Sequence, residues 1–117
     1  MEPAFRLPAH LRTRIAESHK MYVGIGILDL ELPHLHDLKS KRRVVRSLID
    51  RLHTRFRISA AETGMQDRLQ RAEIGVAVVA ASEALVQQIL DDVLRLADGE
   101  GEAVVLGWEP QILKEDG

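Results

Sequence analysis

Two exchanges of hydrophobic period constrain this chain more than any other feature. Residues 21–32, MYVGIGILDLEL, alternate apolar side chains with period 2, and Pro33 ends the run. Between 39 and 56 the period becomes helical. Val45, Leu48, Ile49, Leu52 and Phe56 fall on one stripe at 3.6 residues per turn, with Asp37 or Ser40 placed to accept an orphan backbone N–H as N-cap. The exchange then repeats. Residues 58–63 and 72–80 (AEIGVAVVA) read as strands joined by the polar turn 64–70. Ser82 caps a second helix over 83–97, striped by Leu85, Val86, Ile89, Val93 and Leu96, with Leu90 and Leu94 on its edge. Asp98-Gly99-Glu100-Gly101 stops it. Residues 103–109 form a last strand, which Pro110 confines to an edge or an end.

The order β-α-β-β-α-β predicts an α+β, ferredoxin-like domain over 21–113. Its four-stranded antiparallel sheet carries both helices on one face, with the first and third strands central. In the first strand the apolar parity switches at Ile27–Leu28, which requires a bulge, a twist or cover on both sides. If Ile74, Val76 and Val78 face the helices, Gly75, Ala77 and Val79 pave the open face, and Gly24 and Gly26 are expected to join them. Such a face is flat. RNA-recognition motifs of this topology stack bases on aromatics of the central strands, and here Tyr22 is the only ring in reach. A base-stacking platform is therefore not expected.

Charge is distributed unevenly. Residues 34–57 hold eight of the sixteen Lys and Arg against only Asp37 and Asp50, in a chain of net charge −2. Residues 83–117 carry nine acids against Arg95 and Lys114. Arg42, Arg46, His53 and Arg57 line one flank of the first helix's apolar stripe, with Arg43 further round and Arg51 and Arg55 on the other flank. The absence of cysteine excludes disulfides, thiolate chemistry and Cys-based zinc sites, and fits a cytoplasmic location. No apolar run is long enough to span a membrane, and the N-terminus lacks a secretory h-region. Residues 1–20 are expected to be a poorly ordered or helical extension, with Leu11 and Ile15 on one face of a short helix over 9–18; residues 114–117 form a tail.

Candidate sites follow from this charge map. Phosphate backbones are held by clustered Lys and Arg, and Lys39, Lys41, Arg42, Arg43 and Arg46 occupy two turns near a helix N-terminus, with Arg57 further along the same flank. Arg68 and Arg71 flank the 64–70 turn beside Gln66, Asp67 and Gln70, as a hairpin end that could reach nucleic acid. Glu62 beside Ser59 suggests a buried hydrogen bond. His34 and His36 have metal-like spacing but no dependable further ligands, so no metal or cofactor is expected. Gly24-x-Gly26 lies inside a strand, not at a strand-to-helix turn, so it is no phosphate loop. No nucleophile elbow, Walker loop or paired-carboxylate motif appears.

Several segments resemble one known family. Pro33, Leu38-Lys39-Ser40-Lys41-Arg42, Arg51-Leu52, Phe56, Ser59-Ala60-Ala61-Glu62, Gln66-Asp67 and Gln70-Arg71-Ala72, in this order, resemble the YlxP-like family of small bacterial proteins, a domain of unknown function. The resemblance covers 21 to about 113. Asp37 stands where the family usually has Ser, and Leu69 where an aromatic is common. The resemblance implies the ferredoxin-like fold and no defined activity. Its genes commonly lie among those for transcription, translation and ribosome maturation, which implies RNA or ribosome partners. The combined expectation is a non-catalytic accessory protein that touches RNA or a ribonucleoprotein through the basic helix. The alternative is a protein-interaction module, or a homodimer, that uses the open sheet face or an edge strand.

Overall fold

The computed structural model describes residues 8–10 and 21–113. Ala9 and His10 are helical; the rest of the expected 9–18 helix and the 114–117 tail lie outside the described residues. The elements are β1 (Tyr22–Glu31), α1 (Leu38–Phe56), β2 (Ser59–Gly64), β3 (Arg71–Ala80), α2 (Glu83–Asp98) and β4 (Val104–Leu113). The four strands form one antiparallel sheet in the order β2-β3-β1-β4. Both helices cover one face, which is the ferredoxin-like arrangement.

Each helix forms where its caps and periodicity coincide. Asp37 is the N-cap of α1: its carboxylate accepts from the Ser40 N–H at 2.7 Å and from the Ser40 hydroxyl at 3.0 Å. Arg57 ends α1 in the left-handed region (φ 52°), with its N–H donating to the His53 carbonyl. Ser82 caps α2 by accepting from the Leu85 N–H. The buried side of α1 is Lys41, Val44, Val45, Leu48 and Leu52. The buried side of α2 is Val86, Leu90, Val93 and Ala97, so its true stripe is rotated from the expected one and leaves Leu85 half exposed. The core between helices and sheet is completed by Leu28, Leu30, Leu32, Ile74, Val76 and Val78. Full burial of one such aliphatic side chain stabilises by about 1.5–3 kcal/mol.

β1 corrects the expected parity switch. Gly24, Gly26, Leu28, Leu30 and Leu32 all face the helices and are buried, so the strand never changes faces. The glycines do not pave the open face. They stand beneath bulky neighbours: a Cβ at Gly26 would collide with the Trp108 ring, and one at Gly24 would come 2.5 Å from a Val86 methyl. Ile25 and Ile27 take the open face instead, 36% and 41% exposed. Tyr22 also lies on the helix side, packed against the core. A bulge does occur here, but on β4, where the ladder to β1 shifts between Asp29 and Leu30. β4 also runs past Pro110, which sits opposite Gly26 on the sheet edge, where a missing N–H leaves no ladder bond unmade.

Candidate nucleic-acid interface

The helical spacing of α1 divides its cations into two populations. Lys39, Arg42, Arg43 and Arg46 are exposed and border one open stretch of surface with Ser47, Asp50, Arg51 and Thr54. Positions 39, 42, 43, 46, 50 and 54 recur every three or four residues, so these side chains form a stripe opposite the buried one. Among the described residues, none of Lys39, Arg42, Arg43 and Arg46 lies within ion-pair distance of a carboxylate. Asp37 caps the same end of the helix. The Ser40 backbone and hydroxyl hydrogen bonds, with smaller contributions from Arg43 and Lys39, hold its carboxyl below the usual aspartate value.

Lys41 belongs to the other population, and its expected role in phosphate contact is corrected. It is 1% exposed. Its ammonium lies 3.3 Å from a Glu62 carboxylate oxygen and donates to the carbonyls of Met65 at 2.5 Å and Gln66 at 3.3 Å. Glu62, on the helix side of β2 opposite Ile74, therefore has Lys41 as its partner and not Ser59, which lies on the other face of the strand. The signal was present in the spacing. Positions 41, 45, 48 and 52 form one stripe, so Lys41 points inward with the valines and leucines and has to find a partner there.

The remaining expected residues scatter. Arg71 is corrected as well: it projects from the open side of β3 and pairs with Asp29 at 2.8 Å, away from α1. Arg57 is exposed at the C-terminal end of α1, about 16 Å along the axis from Arg46 at 1.5 Å per residue. Arg68 is exposed in the β2–β3 turn, where its N–H donates to the Met65 carbonyl. Because Lys41 holds Met65 and Gln66, that turn docks against the first turns of α1, the end that carries Lys39 and Arg42. Gln70 fastens the same turn to the β1–α1 loop by donating to the carbonyls of Pro33 and Leu35. His53 leaves the basic flank: its Nε2 accepts from the Ala60 N–H at 3.2 Å and so covers the backbone of edge strand β2. Arg51 is paired with Glu100 and Arg95 with Asp92. From the acidic half of the chain, Glu100 thus reaches Arg51 in the lower part of α1, while among the described residues none of its acids forms an ion pair with the first two turns.

His34 and His36 are exposed in the β1–α1 loop, and among the described residues no three His, Asp or Glu side chains cluster as metal ligands. No helix among the described residues is long and apolar enough to cross a membrane.

Residues 23–109 match the family described as "Protein of unknown function (DUF503)". The chain belongs to this family. The chain aligns with "Uncharacterized protein YlxP" of Bacillus subtilis (strain 168) at 36% identity over 61 residues. That stretch covers 52% of this chain and 66% of the relative, just under two thirds of its length. Among solved structures, the de novo designed protein Foldit4 superposes with a TM-score of 0.51 at 10% identity, covering 81% of this chain and 99% of the design, a likeness of fold alone. A C-terminal segment of the alpha subunit of aIF2 from Pyrococcus abyssi, with a TM-score of 0.45 at 12% identity over 83% of this chain and 52% of that one, is too loose a match to bear on fold or function.

Proposed function

We propose that this DUF503 protein is a non-catalytic accessory factor that contacts RNA or a ribonucleoprotein through the outer face of α1. One observation carries the reading: Lys39, Arg42, Arg43 and Arg46 stand exposed on one helical stripe without a carboxylate partner among the described residues, in a chain whose net charge is negative. Arg51, Arg71, Arg95 and Lys41 are matched with acids of the chain itself. A stripe left unmatched keeps its charge for an external polyanion.

Its four cations span about 11 Å of helix, so they follow a phosphate backbone and do not read bases. Arg68, on the turn docked against the same end, extends the path. The helix N-terminus adds its own partial positive charge, although the Asp37 carboxylate occupies part of it. The open sheet face offers no second contact of the stacking kind, since among the described residues no ring lies on it. The reading places the protein in the cytoplasm, with RNA or ribosomes as partners.

The test is filter binding to ribosomal RNA at two salt concentrations. Four phosphate contacts predict roughly 100-fold weaker association between about 50 and 200 mM salt. The combined Arg42→Glu, Arg43→Glu, Arg46→Glu variant should lose binding while keeping the wild-type circular dichroism spectrum. Binding that survives both the salt and the triple change sinks the proposal.

A further inference from the structure

The open side of the sheet is the other surface that the fold leaves uncovered, and its relief is uneven in a particular way. The register places Ile25, Ala77 and Ser59 side by side in one row across β1, β3 and β2, and Ile27, Gly75 and Ala61 in the next. Each row steps from a large residue on β1 to small ones on β3 and β2. A ridge of two isoleucines therefore runs beside a trough of about 410 Å³ whose floor is Ser59, Ala61, Gly75 and Ala77. The neighbouring row adds Val23 and Val79, the latter 61% exposed. Along β1, β3 and β2 charge is confined to one end of these rows, while on edge strand β4 they continue to Gln111 and the exposed Glu109. At that end Asp29 is paired with Arg71, and the Glu73 carboxylate accepts from the Thr63 hydroxyl at 2.8 Å.

We infer that this face is the interface of a homodimer, in which two copies stack their sheets face to face and each sets its Ile25–Ile27 ridge into the other's Gly75–Ala77 trough. A ridge and a trough of equal length on one surface complement each other under a two-fold axis, which is the requirement of an isologous contact. Glu109 lies on edge strand β4, at the rim of a contact centred on β1 and β3, and no charged group stands between Ile25–Ile27 and Gly75–Ala77, so bringing the faces together strands none at the centre. The size is adequate. Three strands of ten residues and β2 of six, at ~4.8 Å spacing and ~3.3 Å per residue, give a face of ~570 Å² per copy, or ~1,100 Å² in all, near the lower end of stable interfaces. A peptide or an anion would find neither a cation nor a free hydrogen-bonding row at the centre, because the backbone groups of β1 and β3 are already paired on both sides.

The arrangement turns both helical layers outward, so the dimer presents two α1 stripes on opposite sides and tolerates loss of either stripe's charge. Sedimentation equilibrium at about 50 µM tests it, since interfaces of this size commonly reach micromolar affinity. The wild type should weigh twice the chain's 13.1 kDa, and so should the Arg42→Glu, Arg43→Glu, Arg46→Glu variant. Ile27→Glu, which removes the ridge, and Ala77→Arg, which fills the trough, should each give the single-chain mass with an unchanged circular dichroism spectrum. A nitroxide on Gln111→Cys, on the open side of edge strand β4 and outside the trough, should report a short pair distance between copies, and one on Thr54→Cys, on the helix side, a long one. A monomeric wild type overturns the inference, as does a dimer that survives both face variants or that shows the short distance at residue 54.

Discussion

The inward and outward sides of α1 carry chemically similar cations with opposite fates. Lys41 lies inside, ion-paired with Glu62 and hydrogen-bonded to two carbonyls of the β2–β3 turn, while Arg42 and Arg43, the next two residues, stand in water. A step of 100° per residue is enough to separate them. Counting positive charge along a helix therefore overstates the surface open to a polyanion, because the cation that falls on the apolar stripe is committed to the fold. Burying an ammonium is tolerable only when its donors are matched, and Lys41 meets that condition by pinning a turn 24 residues away.

The sharpest way to break this contrast is to remove the inward charge. Lys41→Met keeps the stem and leaves Glu62 and the Met65 carbonyl without their donor; stability should fall by about 3 kcal/mol, read as a lower urea midpoint. The double variant Lys41→Met, Glu62→Leu should recover part of the loss. A Lys41→Met protein as stable as wild type would show that the pin is dispensable. The outward side should behave in reverse. Reversing Arg42, Arg43 and Arg46 together should cost little stability, within about 0.5 kcal/mol per site, while abolishing the salt-sensitive association with RNA.

Arg51 sharpens the comparison from between the two extremes, since it is half exposed and paired with Glu100. Arg51→Ala should lower stability by only about 0.5 kcal/mol, a value checked by the same urea titration. Asp37 gives the smallest effect and one that depends on pH. Its carboxyl is held below the ordinary value by the Ser40 hydrogen bonds first and by Arg43 and Lys39 after them. The cap's contribution is fully present above the unfolded aspartate value and is lost as pH falls through the lowered folded one. The stability difference between wild type and Asp37→Ala should therefore be constant near neutrality and vanish in acid, once the pH lies below the lowered folded value. A difference that persists at that pH would assign the cap to geometry and not to the charge.

Much of this molecule was legible as periodicity. The alternation of periods set six elements in order. Asp37 and Ser82 marked the helix starts, and Pro110 marked the edge strand. β1 was misread because alternation was scored by side-chain apolarity alone. Gly24 and Gly26 looked like the exposed positions of a half-buried strand, yet they are the sites where Trp108, Val86 and Leu90 come down onto the backbone. A residue without a side chain cannot announce in sequence whether it faces solvent or makes room for a neighbour.

The sequence by itself determined the sheet-and-helix order, the two amphipathic faces and the concentration of positive charge near the start of α1, because local period and capping chemistry act within a few residues. Tertiary structure alone decided which acid meets each paired cation. Glu62, Glu100 and Asp29 reach Lys41, Arg51 and Arg71 only after the chain has folded across 21, 49 and 42 positions, and electrostatic pairing depends on distance in space, to which spacing along the chain gives no guide.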